Sequence, residues 1–287
     1  MKLLVAFTVV ALLALAAQRF DMTALRQGLM AANASWLCAA VLAHLLIQPL
    51  AALQWRALLP ASVSTTWRQL LRLFALTSVA NNSANTLVGH ATGVAMLTAE
   101  PTIGARGALS LLVLDQLCVG IAKLCVLGAA AMLLPLPTWM RNGVITLLIA
   151  VAALAVAIVV LRRWPTIPFI GAIRTVNARR MAAAVLCAVA VKAAEAAAIA
   201  AVQLAFGIPC TATSVLFVLS ATTLATLVPV IPANLGTYEA AVFLALRAVD
   251  VPVESAMLAA VVQHACQLFA ALAPGAPLLW LPARRVT

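Results

Sequence analysis

The chain has 287 residues, of which 66% are hydrophobic and only 9% are charged, and its mean hydropathy is +1.13. Ordinary soluble domains are about half apolar and about a quarter charged, so the composition excludes a soluble protein and predicts an all-α integral membrane protein. The net charge of +11 does not indicate a nucleic-acid partner, because the basic residues cluster in the predicted loops, as the positive-inside rule describes.

Six apolar runs predict about six transmembrane helices, because a span needs about 20 apolar residues. They lie at roughly 2–18, 36–55, 107–134, 143–162, 181–206 and 255–281. Two further apolar segments, at about 70–98 and 214–249, are interrupted by polar or helix-breaking residues. Together these elements predict a single polytopic membrane domain over residues 1–287.

The first run also resembles a signal peptide, with Lys2 before it and Ala14-Leu15-Ala16 near its end. We favour an uncleaved first helix, because the run is about long enough to span and the rest of the chain is membrane-embedded. Both interpretations place the N-terminus in the cytoplasm.

The basic residues indicate how the two interrupted segments run. If both are re-entrant hairpins, 12 of the 18 Lys and Arg residues face the cytoplasm, as the positive-inside rule favours. These are Lys2, Arg56, Arg68, Arg72, Arg106, Arg162, Arg163, Arg174, Arg179, Arg180, Arg284 and Arg285. If only the first segment crossed, the basic loops on either side of it would face opposite sides. The sequence therefore predicts two re-entrant hairpins, both termini in the cytoplasm and the layout of an inverted repeat, although no internal sequence similarity supports the repeat.

The second interrupted segment contains Thr222–Glu239 (TTLATLVPVIPANLGTYE), where an apolar helix is cut by Pro229 and Pro232. Each proline removes a backbone N–H and clashes with the carbonyl one turn back. Lipid cannot satisfy the carbonyls released in this way, so such a backbone lies inside protein or beside a wet cavity. Transporters with broken helices place polar sites at such points.

A new helix is predicted to begin just after this break, with Thr237 as its N-cap and Glu239 near its positively polarised end. The alternative is a loop at the membrane surface with a capping glutamate, and residue chemistry alone leaves both open. The candidate substrate-binding residues of this segment are Pro232, Asn234, Gly236 and Glu239.

The first interrupted segment includes LTSVANNSANTLVGHATG, residues 76–93. Thr77, Asn81 and Asn85 are spaced by four and share a helix face, and Gly89 and Gly93 are expected to loosen the backbone around His90. So many amides and hydroxyls are costly in lipid and must face protein or water. The sequence leaves open whether they line a cavity or form a polar helix–helix contact. The candidates are Asn81, Asn82, Asn85 and His90.

Ionisable residues inside the predicted spans include Asp115, Lys123, Lys192 and Glu195. Lys192 and Glu195 are three residues apart on one helix face, and we expect a structural ion pair between them. Asp115 has no oppositely charged partner within a helix turn, so we expect it to belong to a substrate-binding or translocation site.

The remaining reactive residue types form no recognisable site. The six Cys residues are scattered without a C-x-x-C motif and are interpreted as apolar packing residues. The three His residues are far apart, with no H-E-x-x-H motif, so no metal site is expected. No nucleophile elbow or phosphate loop is present. The sequence therefore predicts a protein that is not an enzyme, with no catalytic residues and no cofactor.

Three stretches together resemble the flippase-like membrane domain of the lysylphosphatidylglycerol synthase family. They are Leu53-Gln54-Trp55-Arg56, Ala108–Leu117 with Asp115, and Pro229–Glu239 with the pattern P-x-x-P-x-x-x-G-x-x-E. The last is the most specific. The chain departs from the family at Val88–Gly93, where the family usually has a Pro, then Gly-Glu and an Arg.

The resemblance implies an inner-membrane transporter that moves a lipid or a lipid-linked intermediate between leaflets, as a stand-alone membrane module without the soluble aminoacyl-transfer domain. Membrane lipids are the expected partners, with a lipid- or glycan-synthesis enzyme as a further partner. The alternatives are an accessory membrane protein that supports such a synthase, and a lipid-modifying membrane enzyme. The oligomeric state does not follow from the sequence.

Overall fold

The computed structural model describes residues 22–59, 63, 65–84, 86–100, 103–161, 177–227 and 232–275. The described residues are helical, with no strand among them. The helices are α1 (Met22–Ala31), α2 (Ala34–Leu45), α3 (Ile47–Leu58), α4 (Trp67–Ser83), α5 (Thr86–Thr98), α6 (Gly104–Leu133), α7 (Thr138–Leu161), α8 (Ala178–Ala205), α9 (Ala212–Ala225), α10 (Thr237–Arg247) and α11 (Val253–Leu272).

Within this part of the chain, four helical stretches are long and apolar enough to cross a bilayer. They are Ala34–Leu58, Gly104–Leu133, Ala178–Ala205 and Val253–Leu272. The predicted span 2–18 and the end of the predicted span 255–281 lie outside the described residues. The structure is thus that of a polytopic helical membrane protein, and the number of six spans stays a prediction.

The first of these stretches is bent where α2 gives way to α3, at Leu46. Pro49 explains the bend, because it has no N–H to donate to the carbonyl of Leu45 and its ring crowds that carbonyl. The bend separates two polar residues of this stretch, His44 in the last turn of α2 and Gln48 in the first turn of α3.

Polar caps start both interrupted segments. At α4, Thr66 Oγ1 accepts a hydrogen bond from Gln69 N at 3.3 Å, while Gln69 Oε1 accepts from Thr66 N at 2.7 Å. At α9, Thr211 and Ser214 exchange the same pair of bonds, both at 3.1 Å. Each reciprocal pair satisfies two helix N-terminal donors that apolar surroundings would leave without a partner.

The first interrupted segment is a pair of helices, α4 and α5, that pack closely against each other. A Cβ built on Gly89 would lie 2.6 Å from Asn81 Cβ and 2.8 Å from Asn81 Cα. Gly89 therefore permits the close approach of the two helices. The expectation that Gly89 and Gly93 loosen the backbone is wrong, because α5 runs without a break from Thr86 to Thr98.

The second interrupted segment is α9, a short 3₁₀ turn at Pro232–Asn234, and α10. The backbone reverses through left-handed conformations at Ala233 (φ 53°), Asn234 (φ 56°) and Gly236 (φ 84°). Such angles are costly for residues with a side chain and easy for glycine. Pro229 lies outside the described residues. The 3₁₀ turn packs against α4, so the two interrupted segments meet.

Both ends of the first interrupted segment reach the same apolar cluster. This first cluster includes Leu58 of α3, Leu70 of α4, Leu97 of α5, Ala108 of α6 and Ala184 of α8. Thus the first turns of α4 and the last turns of α5 belong to the same apolar cluster.

A second apolar cluster runs along both helices of the second interrupted segment. It includes Ile208, Phe217 of α9, Leu246 of α10 and Ala256 of α11, together with Ala130 near the end of α6. The order of a span, a pair of shorter helices and another span occurs twice, once over α2–α6 and once over α8–α11.

Candidate functional site

A cavity of about 210 Å³ lies among the helices at the place where the two interrupted segments meet. Much of its lining is polar, although the chain as a whole is strongly apolar. The polar lining residues are His44, Gln48, Ser78, Asn81, Asn82, Lys192, Glu195, Thr222, Thr223, Thr226, Tyr238 and Gln267. They come from seven of the described helices and the turn after α9, so the site exists only in the folded chain.

Among the residues that the structure describes, the charged part of the lining is an ion pair on α8. Lys192 Nζ lies 2.7 Å from Glu195 Oε2, and the two side chains are 12% and 27% exposed. Their spacing of three residues places them one turn apart on the same face. Each partner keeps unused hydrogen-bonding capacity, because Lys192 has further N–H groups and Glu195 has a second oxygen.

Two buried polar side chains of the bent first span reach the cavity. His44 is 4% exposed, and neither ring nitrogen has a hydrogen-bond partner among the described residues. Gln48, also 4% exposed, donates from Nε2 to the carbonyls of Ala270 (3.0 Å) and Ala271 (3.2 Å), while its Oε1 has no partner there. A buried polar atom without a partner costs about 1–3 kcal/mol, so this lining is poised to bind water or a ligand.

Of the four candidates in the first interrupted segment, two line the cavity. Asn82 Nδ2 donates to Ser78 O at 2.9 Å, and Asn81 Oδ1 is buried without a described partner. His90 lies on α5 and does not line this cavity, and Asn85 falls outside the described residues. The polar stripe thus divides between cavity lining and the close contact of α4 with α5.

Three threonines at the end of α9 add hydroxyl oxygens to the lining. Thr222, Thr223 and Thr226 each donate to a carbonyl of the preceding turn, with distances from 2.6 to 3.2 Å. Since each hydroxyl proton is already used, the oxygen can act only as an acceptor toward the cavity.

The restart of the second segment is held against the last span by two adjacent contacts. Glu239 Oε1 lies 2.8 Å from His264 Nδ1, and Gln263 Nε2 donates to Tyr238 Oη at 2.9 Å. The rings of Tyr238 and His264 also stack, with centroids 4.6 Å apart. Tyr238 lines the cavity and Glu239 does not.

The turn before α10 departs from the sequence-based expectation in one respect. The prediction of Thr237 as the N-cap is wrong, because Thr237 is the first residue of α10 and its hydroxyl donates to Asn234 O at 2.9 Å. The cap position is Gly236, whose N–H donates to Glu239 Oε2 at 2.7 Å. Glycine supplies the φ of 84° here, and Glu239, three residues on, accepts the N–H of the cap residue as the N3 residue of a capping box does.

Asp115 stands apart from the cavity. Its Oδ1 accepts hydrogen bonds from Gln54 Nε2 (2.8 Å) and Trp55 Nε1 (2.9 Å), and its Oδ2 accepts one from Gln116 Nε2 (3.0 Å). The carboxylate is 8% exposed. Although no basic residue lies within a helix turn, Asp115 is well supplied with neutral partners, which fix α3 against α6. The first two stretches of the family resemblance therefore contact each other directly.

The structure thus brings Asn81, Asn82 and the Lys192–Glu195 pair into one site. Asp115, His90 and Glu239 lie outside that cavity, while Asn234 and Gly236 shape the turn that packs against α4. The sequence did not lead us to predict His44, Gln48 or Tyr238 as site residues. His44 and Gln48 are four residues apart within an apolar span, and this spacing could have indicated that both side chains face one polar site. Among the described residues there is no group of three His, Cys, Asp or Glu side chains that could hold a metal ion.

The long apolar helices and the buried polar interior define the class of a multi-pass helical membrane protein. Residues 1–275 match the model of the lysylphosphatidylglycerol synthase TM region, so the chain belongs to that family. Comparison with curated proteins and with solved structures found no match. The family connects the chain with membrane-lipid metabolism or flipping.

Proposed function

We propose that this protein moves a lipid, or a lipid-linked intermediate, between the leaflets of the cell inner membrane. The observation that carries the proposal is the polar cavity at the meeting point of the two interrupted segments. Polar surface inside a membrane-embedded bundle is costly, and a headgroup that must cross the hydrocarbon core needs such a surface. The tails would stay in lipid while the headgroup occupies the cavity.

The proposed arrangement in the membrane is two re-entrant hairpins within an inverted repeat, with both termini in the cytoplasm. It is supported by the first apolar cluster, which contains residues from the first turns of α4 and the last turns of α5. It is also supported by Arg180 at the start of α8, which donates to the carbonyls of Arg56 and Leu59 at the end of α3. These basic helix ends are therefore neighbours, as a common cytoplasmic face requires.

In this mechanism the residues bind and release a headgroup without forming a covalent bond. Asn81, Asn82 and the pair formed by Lys192 and Glu195 contact the headgroup. The turn at Pro232–Gly236 and the contact of Glu239 with His264 position Tyr238 in the cavity wall. Asp115 acts at a distance by fixing α3 against α6.

The test is the exchange of labelled lipids between leaflets in vesicles that contain the purified protein, with lipids of different headgroups tried in turn. Asn82→Leu removes one polar group from the cavity, and Asn142→Leu, at an exposed position on α7, is the matched control. We expect Asn82→Leu to slow exchange by about tenfold, because a lost hydrogen bond is worth about 1 kcal/mol or somewhat more. The control should exchange lipid at the parental rate.

Two results would contradict the proposal. One is an exchange rate no higher than that of protein-free vesicles for every lipid. The other is equal exchange by the parent protein and by a correctly folded Asn82→Leu variant. The first result would favour an accessory role beside a lipid- or glycan-synthesis enzyme, which needs no polar cavity. The second would remove Asn82 and its part of the cavity from the transport mechanism.

A further inference from the structure

The lining of the cavity carries an ion pair, and Lys123 of α6, which does not line the cavity, lies within electrostatic range of both partners. Among the described lining residues, the Lys, Arg, Asp and Glu side chains are Lys192 and Glu195, and they are paired at 2.7 Å. A headgroup with a net charge would either remain without a counter-charge or break this pair, and both are costly in a poorly hydrated site. The lining therefore favours a ligand with no net charge.

The free hydrogen-bonding capacity of the lining is mixed, with both acceptors and donors. Acceptors without a described partner are Gln48 Oε1 and Asn81 Oδ1, and the hydroxyl oxygens of Thr222, Thr223 and Thr226 retain lone pairs. The orientation of the Gln48 amide follows from its contacts, because its Nε2 faces two carbonyl oxygens. His44 contributes one donor and one acceptor when neutral, and Lys192 contributes further donors.

We infer that the cavity binds a neutral headgroup with several hydroxyl groups, as in a glycosylated diacylglycerol or another lipid that bears an uncharged sugar. Each hydroxyl group can donate to the amide, imidazole and threonine acceptors and can accept from His44 and Lys192. A phosphate offers only acceptors to this surface and an ammonium group only donors. The inference rests on the proposed function, because it names the class of headgroup that the cavity serves.

Replacement of His44 gives the most direct test of headgroup binding in the cavity. Both of its ring nitrogens are buried without a described partner, so His44→Leu removes unsatisfied polar atoms and should leave the fold intact or slightly more stable. Ser220→Ala is the matched control, because Ser220 Oγ is also buried without a described partner but does not line the cavity. Both variants remove buried polar atoms that have no described partner, and only His44→Leu changes the lining of the cavity.

The experiment measures ligand binding by thermal unfolding of the purified full chain in lauryldimethylamine oxide, a detergent without sugar groups. The probes are monoglucosyl dioctanoylglycerol, dioctanoyl phosphatidic acid, dioctanoyl phosphatidylethanolamine and dioctanoylglycerol at equal concentrations. A ligand that binds only the folded state raises Tm. We expect the glucosyl lipid to raise Tm more than the other three in the parent protein and in Ser220→Ala. In His44→Leu its effect should fall to that of dioctanoylglycerol.

An equal or larger rise in Tm with phosphatidic acid or phosphatidylethanolamine would overturn the inference, as would an unchanged glucosyl-lipid effect in His44→Leu. Leaflet exchange separates this inference from the proposed function. Exchange of phospholipids without any preference for the glucosyl lipid would support transport and overturn the headgroup assignment. A glucosyl-specific rise in Tm without exchange of any lipid would support the binding site and remove the transport proposal.

Discussion

Glu239 Oε1 lies 2.8 Å from His264 Nδ1, and this contact joins the restart of the second interrupted segment to the last described span. The other oxygen of the same carboxylate accepts the N–H of Gly236 at 2.7 Å. One side chain therefore caps α10 and ties it to α11, while the neighbouring Tyr238 reaches the cavity. The described part of the proline- and glycine-containing turn, Pro232–Glu239, therefore supports the cavity wall. Glu239 itself does not line the cavity.

Glu239→Gln should destabilise the protein by about 1–3 kcal/mol. A glutamine can accept from Gly236 through Oε1 but can only donate to His264, so the imidazole must change tautomer to keep the contact, and the charge of the carboxylate is lost. The measurement is denaturant unfolding in detergent. Glu254→Gln, at an exposed position in the first turn of α11, is the control and should cost about 0.3–1 kcal/mol. Equal effects of the two changes would show that the contact with His264 does not stabilise the fold.

Gly236→Val should lower the folded yield strongly, and Gly236→Asn should lower it less. The φ of 84° at this position is unfavourable for a β-branched residue, whereas asparagine tolerates positive φ better than most residues. A built Cβ meets no atom within 4 Å, so the difference reports the backbone and not a steric clash. Folded yield after size-exclusion chromatography in detergent is the measurement, and equal yields of the two variants would contradict the explanation.

Gly89→Ala should destabilise the α4–α5 pair by about 1–3 kcal/mol, because the new methyl group would lie 2.6 Å from Asn81 Cβ and close to its backbone. Gly120→Ala is the matched control on α6, where a Cβ meets nothing within 4 Å. It should stabilise the protein by about 0.5–1 kcal/mol through helix propensity. Opposite shifts of Tm are expected, and a stabilising effect of Gly89→Ala would mean that the two helices are not in close contact.

Asp115→Leu should cost about 3 kcal/mol or more, since it leaves the buried donors of Gln54 and Trp55 without their acceptor. Asp115→Asn keeps one oxygen for both donors and should cost about 1 kcal/mol. The unfolding midpoint measures both effects. If Asp115 only supports the fold, lipid exchange by the folded Asp115→Asn variant should stay close to that of the parent protein. A selective loss of exchange in this variant would assign Asp115 a direct part in transport.

The proposed orientation predicts that the start of α8 is inaccessible from outside the cell. Ala178→Cys, in a background without the native cysteines, should not react with a membrane-impermeant thiol reagent in intact cells, and should react after permeabilisation. Ala178 is exposed, and its replacement leaves the cap that Asn177 provides to Arg179 N. Labelling in intact cells would reverse the orientation.

The amino-acid sequence determined the class of the protein and most of its helices. Long apolar runs allow only a helical membrane protein, because lipid leaves no other way to satisfy the backbone. The predicted span 107–134 corresponds to Gly104–Leu133, and the predicted span 181–206 corresponds to Ala178–Ala205. The break before Glu239 was visible because proline and glycine act locally, whatever the rest of the chain does.

Only the tertiary structure decided which polar residues share a site. The sequence makes Asp115 and Asn81 equally good candidates for the site. In the structure, Asp115 accepts hydrogen bonds from Gln54 and Trp55 of another helix. Asn81 Oδ1, in contrast, lies beside the cavity without a described partner. His44 and Gln48 joined the site only through packing. The physical reason is that a helix periodicity places a side chain on a face, whereas its partners come from helices distant in the sequence.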